Sequence, residues 1–261
     1  MCVQDLVALH HPTAKLLVRW YMSRDVLDHP EWKMVLQNIS NPAQNTSDSM
    51  SKHMIHFMNS PTAAWAKAAT ANFSFALAHM DAAYPGRIAA VIIEGLETGE
   101  WFMPPTSTQS MMVGDYTPEM EKEFCAEEIS RTAAAGGNGG SCRLPSAAER
   151  DTPTLGNALL QWNQSSDASS RSFRYNQFIS KRVASAIAGF AAVVKRVSGG
   201  KALTMAYSGY LFGLSDSRLT GSGHLALSSL LACPDLDMIG SPYLFALKTK
   251  PISHAWMQRT S

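Results

Sequence analysis

The run I-A-A-V-I-I-E-G-L-E-T-G-E-W-F, from Ile88 to Phe102, decides how the chain is read. Its first six residues are apolar and mostly small or β-branched. A short apolar run of this kind, bounded by turn residues, predicts a strand buried on both faces. Pro85-Gly86 sets its start, and Gly95 and Gly99 break it at the far end. Three carboxylates follow within seven residues: Glu94, Glu97 and Glu100. In α/β folds, residues just past the C-terminal end of a buried parallel strand are where active sites are built. Trp101 and Phe102 come next and could offer apolar platforms to a sugar ring. The alternative is a surface loop whose glutamates are simply solvated.

Working outward, Lys15–Tyr21 (K-L-L-V-R-W-Y) predicts a strand, and residues 1–10 a short helix. Ser60-Pro61 marks a helix start, since serine can cap free N–H groups and proline fits the first turn. Trp65, Ala69, Phe73, Leu77 and Met80 then recur at helical spacing and predict a core-facing stripe that ends before Pro85. Strand, helix and strand in this order predict a parallel βαβ unit. Thr117 is placed to cap a second helix through Met120 and Phe124. Ile179, Val183, Ile187, Phe190 and Val194 form another stripe, stopped by Gly199-Gly200. Lys201–Tyr207 and Leu236–Gly240 are further strands, with a short helix from Ser222 or Gly223 to Leu231 between them. Residues 131–172 carry A-A-A-G-G-N-G-G and many Ser, Asp and Thr, and predict a flexible insertion anchored only by Trp162. Four strands alternating with helices give an α/β class with a parallel sheet.

Composition narrows the function. Hydrophobic residues make up 46% of 261, enough for a sizeable core. The net charge of +1, with no basic stripe, argues against nucleic acid as a partner. No apolar run reaches the length of a membrane span, and the N-terminus lacks a signal-peptide layout; localisation is left open. Neither G-x-G-x-x-G nor a P-loop occurs, so nucleotide binding is unsupported. Cys2, Cys125, Cys142 and Cys233 form no C-x-x-C pair and are expected to be reduced and structural. His53 and His56, three apart, lack a third ligand, so no metal site is expected.

The order of these motifs resembles a known family. Arg19 follows an apolar strand; Y-P-G-R leads into I-I-E-G-L-E-T-G-E-W-F; then come G-D-Y-T-P-E-M-E-K-E-F, Y-S-G-Y-L-F-G-L, S-G-H-L-A-L and C-P-D-L-D-M-I-G-S-P-Y. The chain is similar to the (β/α)8-barrel glycoside hydrolases related to family 42 β-galactosidases, over roughly residues 10–125 and 173–245. The resemblance implies a partial (β/α)8 TIM barrel holding strands three to six, in a single domain. It implies β-galactosidase-like hydrolysis of O-glycosidic bonds, with no cofactor and a carbohydrate as substrate. Glu100 matches the acid/base position, although Gly99 stands where the family usually has asparagine, and Glu94 and Glu97 compete for the role. Glu97, Trp101, Tyr207, Tyr210, His224 and Tyr243 are the implied substrate-binding residues. The tyrosines could equally be amphipathic rim residues, and His224 could cap its own helix.

The family's nucleophile, at the end of strand seven, has no counterpart in this chain. Asp216 does not match it, and Asp235 and Asp237 fall at the wrong end of strand six. The rival expectation is therefore an inactive or incomplete barrel that binds carbohydrate or a partner chain without catalysis. Four strands cannot close an eight-stranded barrel, which leads to an expectation of self-association.

Overall fold

The computed structural model describes residues 11, 13–22, 30–38, 59–96, 99–103, 112–137, 141–150, 167–209, 221–240 and 256–258. Seven strands are present among them: β1 (Leu16–Tyr21), β2 (Leu36–Asn38), β3 (Ile88–Glu94), β4 (Met112–Gly114), β5 (Leu203–Tyr207), β6 (Met238–Gly240) and β7 (Trp256–Gln258). The helices are α1 (Ala63–Ala83), α2 (Pro118–Ala134), α3 (Ala147–Arg150), α4 (Asp167–Val197) and α5 (Leu227–Leu231). One sheet runs β1-β3-β5-β6-β7, and β2 pairs with β4 in a second, antiparallel pair. The first four strands of the large sheet are parallel. They occur in the expected order, as in a partial TIM barrel. β7 has no counterpart among the strands expected from the sequence and closes the β6 edge in antiparallel fashion.

Register explains the two faces. Tyr21 pairs with Glu94, Ile93 with Ala206, and Tyr207 with Gly240. One face therefore carries Leu17, Arg19 and Tyr21 of β1, Ile92 and Glu94 of β3, and Met205 and Tyr207 of β5. The other carries Val18, Trp20, Val91, Ile93 and Ala206 and is covered by helices. On β1 the alternation is plain, every second residue being exposed. β3 is buried at six of its seven positions, as its continuous apolar run requires.

α1 presents Trp65, Ala69, Phe73 and Leu77 to the core. All five stripe residues of α4, from Ile179 to Val194, are buried. Phe190 sits at the centre, with ring centroids 5.7 Å from Phe73 and 6.0 Å from both Trp65 and Trp101. Such aromatic pairs add about 0.5–1.5 kcal/mol each beyond the area they bury. By length and composition, Arg171–Val197 of α4 could cross a membrane, but 61% of its most apolar window is buried inside the fold. It is the central helix of the core.

Several local expectations shift. The cap of α1 is Thr62, whose Oγ1 accepts from Trp65 N at 3.2 Å, while Ser60 Oγ turns to Thr117 Oγ1. Thr117 caps α2 as expected, accepting from Met120 N at 3.3 Å. α5 starts at Leu227 rather than at Ser222 or Gly223, because Ser222, Gly223 and His224 are drawn into contacts with other loops. Gly199 and Gly200 end α4 with φ of 60° and 78°.

The stretch 131–172 is more structured than its composition suggests. α2 continues to Ala134, and Cys125 and Cys142 form a disulfide that ties the following loop back onto it. This corrects the expectation of reduced cysteines; two cysteines 17 residues apart carry no motif that signals pairing. Beyond the loop, Arg150 is buried, donating to Gly114 O and to Asn176 Oδ1 (3.1 Å), with its guanidinium over the Tyr175 ring. α4 already begins at Asp167. Residues 1–10, 39–58 (with His53 and His56), 138–140 and 151–166 (with Trp162) lie outside the described residues.

Candidate functional site

The C-terminal ends of the four parallel strands share one edge of the sheet, where Tyr21, Glu94, Tyr207 and Gly240 stand at one level. Arg19, one rung lower on β1, reaches up to this level. Its Nε and Nη2 both donate to Glu94 Oε1, at 2.9 and 2.5 Å. Glu94 holds the guanidinium pKa above its ordinary value, first through the hydrogen bond and then through its charge, with a smaller push from Tyr207. Tyr21 donates its hydroxyl proton to Leu96 O at 2.5 Å. β1 thus grips the start of the loop that follows β3.

That loop is held under backbone strain. Leu96 and Trp101 both have positive φ, 55° and 62°, a region that non-glycine residues seldom occupy. Trp101 is what holds it. Its N–H donates to Gly95 O at 2.9 Å, and its indole Nε1 donates to Ile93 O at 3.0 Å. A Cβ on Gly95 would lie 2.8 Å from the indole, so only glycine admits this ring. Glu100, bridged to Gly95 and half-buried, is carried just beyond the end of β3. Gly99, at φ 83°, runs close enough that its own Cβ would lie 3.4 Å from the Glu94 carboxyl carbon.

The loop after β5 joins this one from the other side. Met103 N donates to Ser222 O at 2.9 Å, and the rings of Phe102 and His224 meet edge to face with centroids 4.6 Å apart. His224 is buried, and Gly209 N donates to its Nδ1 at 3.2 Å, with Ser208 Oγ at the same distance. Nδ1 is therefore an acceptor, which puts the ring proton on Nε2. Burial lowers the imidazole pKa from 6.5 to about 3, so the ring is neutral at ordinary pH.

The expected site residues separate on these facts. Glu100 and Tyr207 stand at the shared strand ends, each half-buried. Trp101 is wholly buried among Phe190, Gly95 and Ile93, so its ring is a packing anchor and not an open sugar platform. The positive φ turns it inward, and sequence alone could not signal that turn. His224 lies behind the surface and holds Ser208–Gly209 rather than capping a helix. Glu97, Tyr210, Tyr243 and Asp216 lie outside the described residues. From the sequence Arg19 is only a landmark after an apolar strand; its partnership with Glu94, 75 positions away, has no sequence signature. Asp237 falls at the opposite end of the sheet, accepting from Lys195 Nζ (2.5 Å) and Thr204 N (2.7 Å), and Asp235 O accepts from Thr204. Among the described residues, no group of three or more His, Cys, Asp or Glu is placed to hold a metal ion.

This arrangement has counterparts among solved structures. The catalytic domain of β-amylase from Paenibacillus polymyxa superposes with a TM-score of 0.62 at 15% identity, over 91% of this chain and 63% of that one. β-Galactosidase from the psychrophilic Marinomonas ef1 gives a TM-score of 0.51 at 13% identity, over 92% of this chain and 32% of that one. The fold resembles glycoside hydrolase barrel domains. The chain spans less than two thirds of either protein. No protein-family model and no curated protein sequence matches it.

Proposed function

We propose that the C-terminal edge of the sheet binds carbohydrate and hydrolyses an O-glycosidic bond, in the manner of a β-galactosidase, with Glu100 as general acid/base. The observation that carries this reading is the strained, Trp101-anchored loop, which fixes Glu100 beyond β3 at the strand-end level of Tyr21, Glu94 and Tyr207. Backbone held in rare conformations clusters at functional sites, and ligands of barrel folds bind at this end. Glu100 would give its proton to the glycosidic oxygen as the bond to the anomeric carbon breaks. A second carboxylate must then attack that carbon or take a proton from the attacking water, according to its distance. Tyr207, with Glu97, Tyr210 and Tyr243, would line the sugar subsite.

A second reading is favoured by Arg19. Glu94 is a second carboxylate at this strand end, and its Oε1 is already engaged twice by the guanidinium. The chain would then bind carbohydrate, or a partner chain, without catalysis. Hydrolysis of an aryl β-galactoside and of soluble starch, with calorimetric titration of galactose and maltose, separates the two. On the first reading the parent chain releases product and Glu100→Gln lowers the rate by about 10²–10⁴-fold, the usual worth of general acid/base catalysis. Sugar binding without turnover selects the second reading. Neither binding nor turnover removes the first reading and the carbohydrate form of the second.

A further inference from the structure

The outer flank of α1 carries a modification signal beside an uncovered aromatic ring. α1 buries Trp65, Ala69, Phe73 and Leu77 in the core. Asn72, Phe75 and His79 lie on its solvent side and are exposed. Phe75 is 78% exposed, the highest value among the large apolar residues of the surface described. Residues three apart on a helix are surface neighbours, so Asn72 stands next to Phe75. Asn72-Phe73-Ser74 is an N-x-S sequon, the acceptor pattern for an N-linked oligosaccharide. Further sequons start at Asn38, Asn45 and Asn163. Asn38 is the last residue of β2, and Asn45 and Asn163 lie outside the described residues.

So short a pattern also arises by chance, and the surroundings of Asn72 give it weight. One is redox. Cys125 and Cys142 are each only half-buried, yet they are joined. A disulfide within reach of solvent persists in oxidising compartments, whereas cytosolic thiols keep such cysteines reduced. The secretory compartments that allow the bond are also those in which asparagine is glycosylated. Another is space. Asn72 is exposed, so α1 can carry a bulky group there while its buried stripe stays in place. A third is timing. Ser74 Oγ accepts from Arg196 Nη2 of α4 at 3.3 Å. The hydroxyl that a transferase must read is thus engaged once α1 packs on α4. Transfer then precedes that packing, and the finished fold has only to leave room for the sugar.

We infer that Asn72 carries an N-linked oligosaccharide whose first sugar lies over the Phe75 ring. The donor is a lipid-pyrophosphate-linked oligosaccharide. Asn72 Nδ2 attacks its anomeric carbon and loses a proton as the N–C bond forms. The C–O bond to the pyrophosphate breaks, and the lipid pyrophosphate leaves with the electron pair. The test is mass spectrometry of the full chain purified from the cells that make it. Trypsin releases residues 68–87, a peptide in which Asn72 heads the only sequon. Fragmentation should find the saccharide on Asn72. In the secretory pathway of a eukaryotic host, Asn72→Gln and Ser74→Ala should each abolish the modification of this peptide, whereas Ser74→Thr keeps the sequon and the sugar. Enzymatic removal of the sugar should lower the melting midpoint of the parent chain more than that of Phe75→Ala. An unmodified Asn72 in the chain from its own cells overturns the inference, as does a saccharide that survives Ser74→Ala. An equal midpoint shift in the parent chain and Phe75→Ala overturns the placement of the sugar over the ring.

Discussion

Arg19 and Glu94, 75 positions apart in sequence, meet through two hydrogen bonds to a single carboxylate oxygen at the top of β1 and β3. Their exposures are unequal: the Arg19 side chain is 66% exposed and that of Glu94 only 9%. The arginine brings its charge from solvent to a carboxylate that has little water of its own. Arg19→Met is expected to lower unfolding stability by about 1 kcal/mol, the modest figure that fits a pair with one solvated partner. Glu94→Gln made in that background should recover part of the loss, because the residual cost is that of a stranded charge. Urea denaturation of the two single variants and the double variant measures the coupling. Additive losses would mean that the two side chains do not depend on each other.

The sheet was legible because its strands differ sharply in pattern from their surroundings. Ile88 to Ile93 is a continuous apolar run closed by glycine, and Phe73 and Phe190 sit on stripes of clear helical period. Residues whose role depends on direction rather than type were not legible. Trp101 follows three glutamates, as a sugar platform would, yet a positive φ turns it into the core. His224 is expected from the sequence as a sugar-lining residue or a cap of its own helix, but a buried imidazole accepting a backbone N–H has no sequence signature. β7 is only three residues long, too short for a period of two to show. The Cys125–Cys142 bond follows from the fold of α2 and its loop, since spacing alone does not distinguish it from other pairings.

Trp101 is expected to be the costliest single position in the candidate site. Trp101→Ala removes a wholly buried ring and its hydrogen bond to Ile93 O, at about 3–5 kcal/mol. Gly95→Ala should cost about 1–3 kcal/mol by forcing a methyl group into that ring. The two losses should not add, because removal of the indole vacates the space that the new methyl group needs. Guanidinium denaturation of both variants and their combination gives the answer; strict additivity would show that Gly95 and Trp101 do not share that space.

The disulfide makes stability depend on covalent state. Cys125 and Cys142 are 17 residues apart, and closing a loop of this size stabilises by about 3 kcal/mol on the chain-entropy account. Thermal melts with and without dithiothreitol should show a lower midpoint under reduction. A Cys125→Ala, Cys142→Ala double variant should melt at the lower value in both conditions. An unchanged midpoint on reduction of the parent chain would show that the loop holds its place through Arg143–Glu149 and its neighbours alone.

His224 fixes the sign of the response of the fold to acid. In the folded chain burial lowers its pKa from 6.5 to about 3, whereas in the unfolded chain it regains the ordinary value. Between those values the unfolded state binds a proton that the folded state refuses. Stability is therefore full above about pH 6.5 and falls as pH drops toward 3, at up to about 1.4 kcal/mol per pH unit. The loss from Glu149 starts lower. Glu149 has its pKa lowered from 4.5 to about 2, first by its hydrogen bond with Arg143, so its contribution fades only below about pH 4.5. The interval from pH 6.5 to 4.5 thus separates the histidine from Glu149. His224→Asn keeps an acceptor where Nδ1 receives the Gly209 N–H, but it cannot titrate. Urea midpoints measured at half-unit steps should fall more steeply with acid in the parent chain than in His224→Asn over this interval, the buried Asp115, whose pKa burial raises, acting alike in both. Parallel profiles in the parent chain and the variant would mean that the imidazole takes up its proton in the folded state, and hence that it is open to solvent.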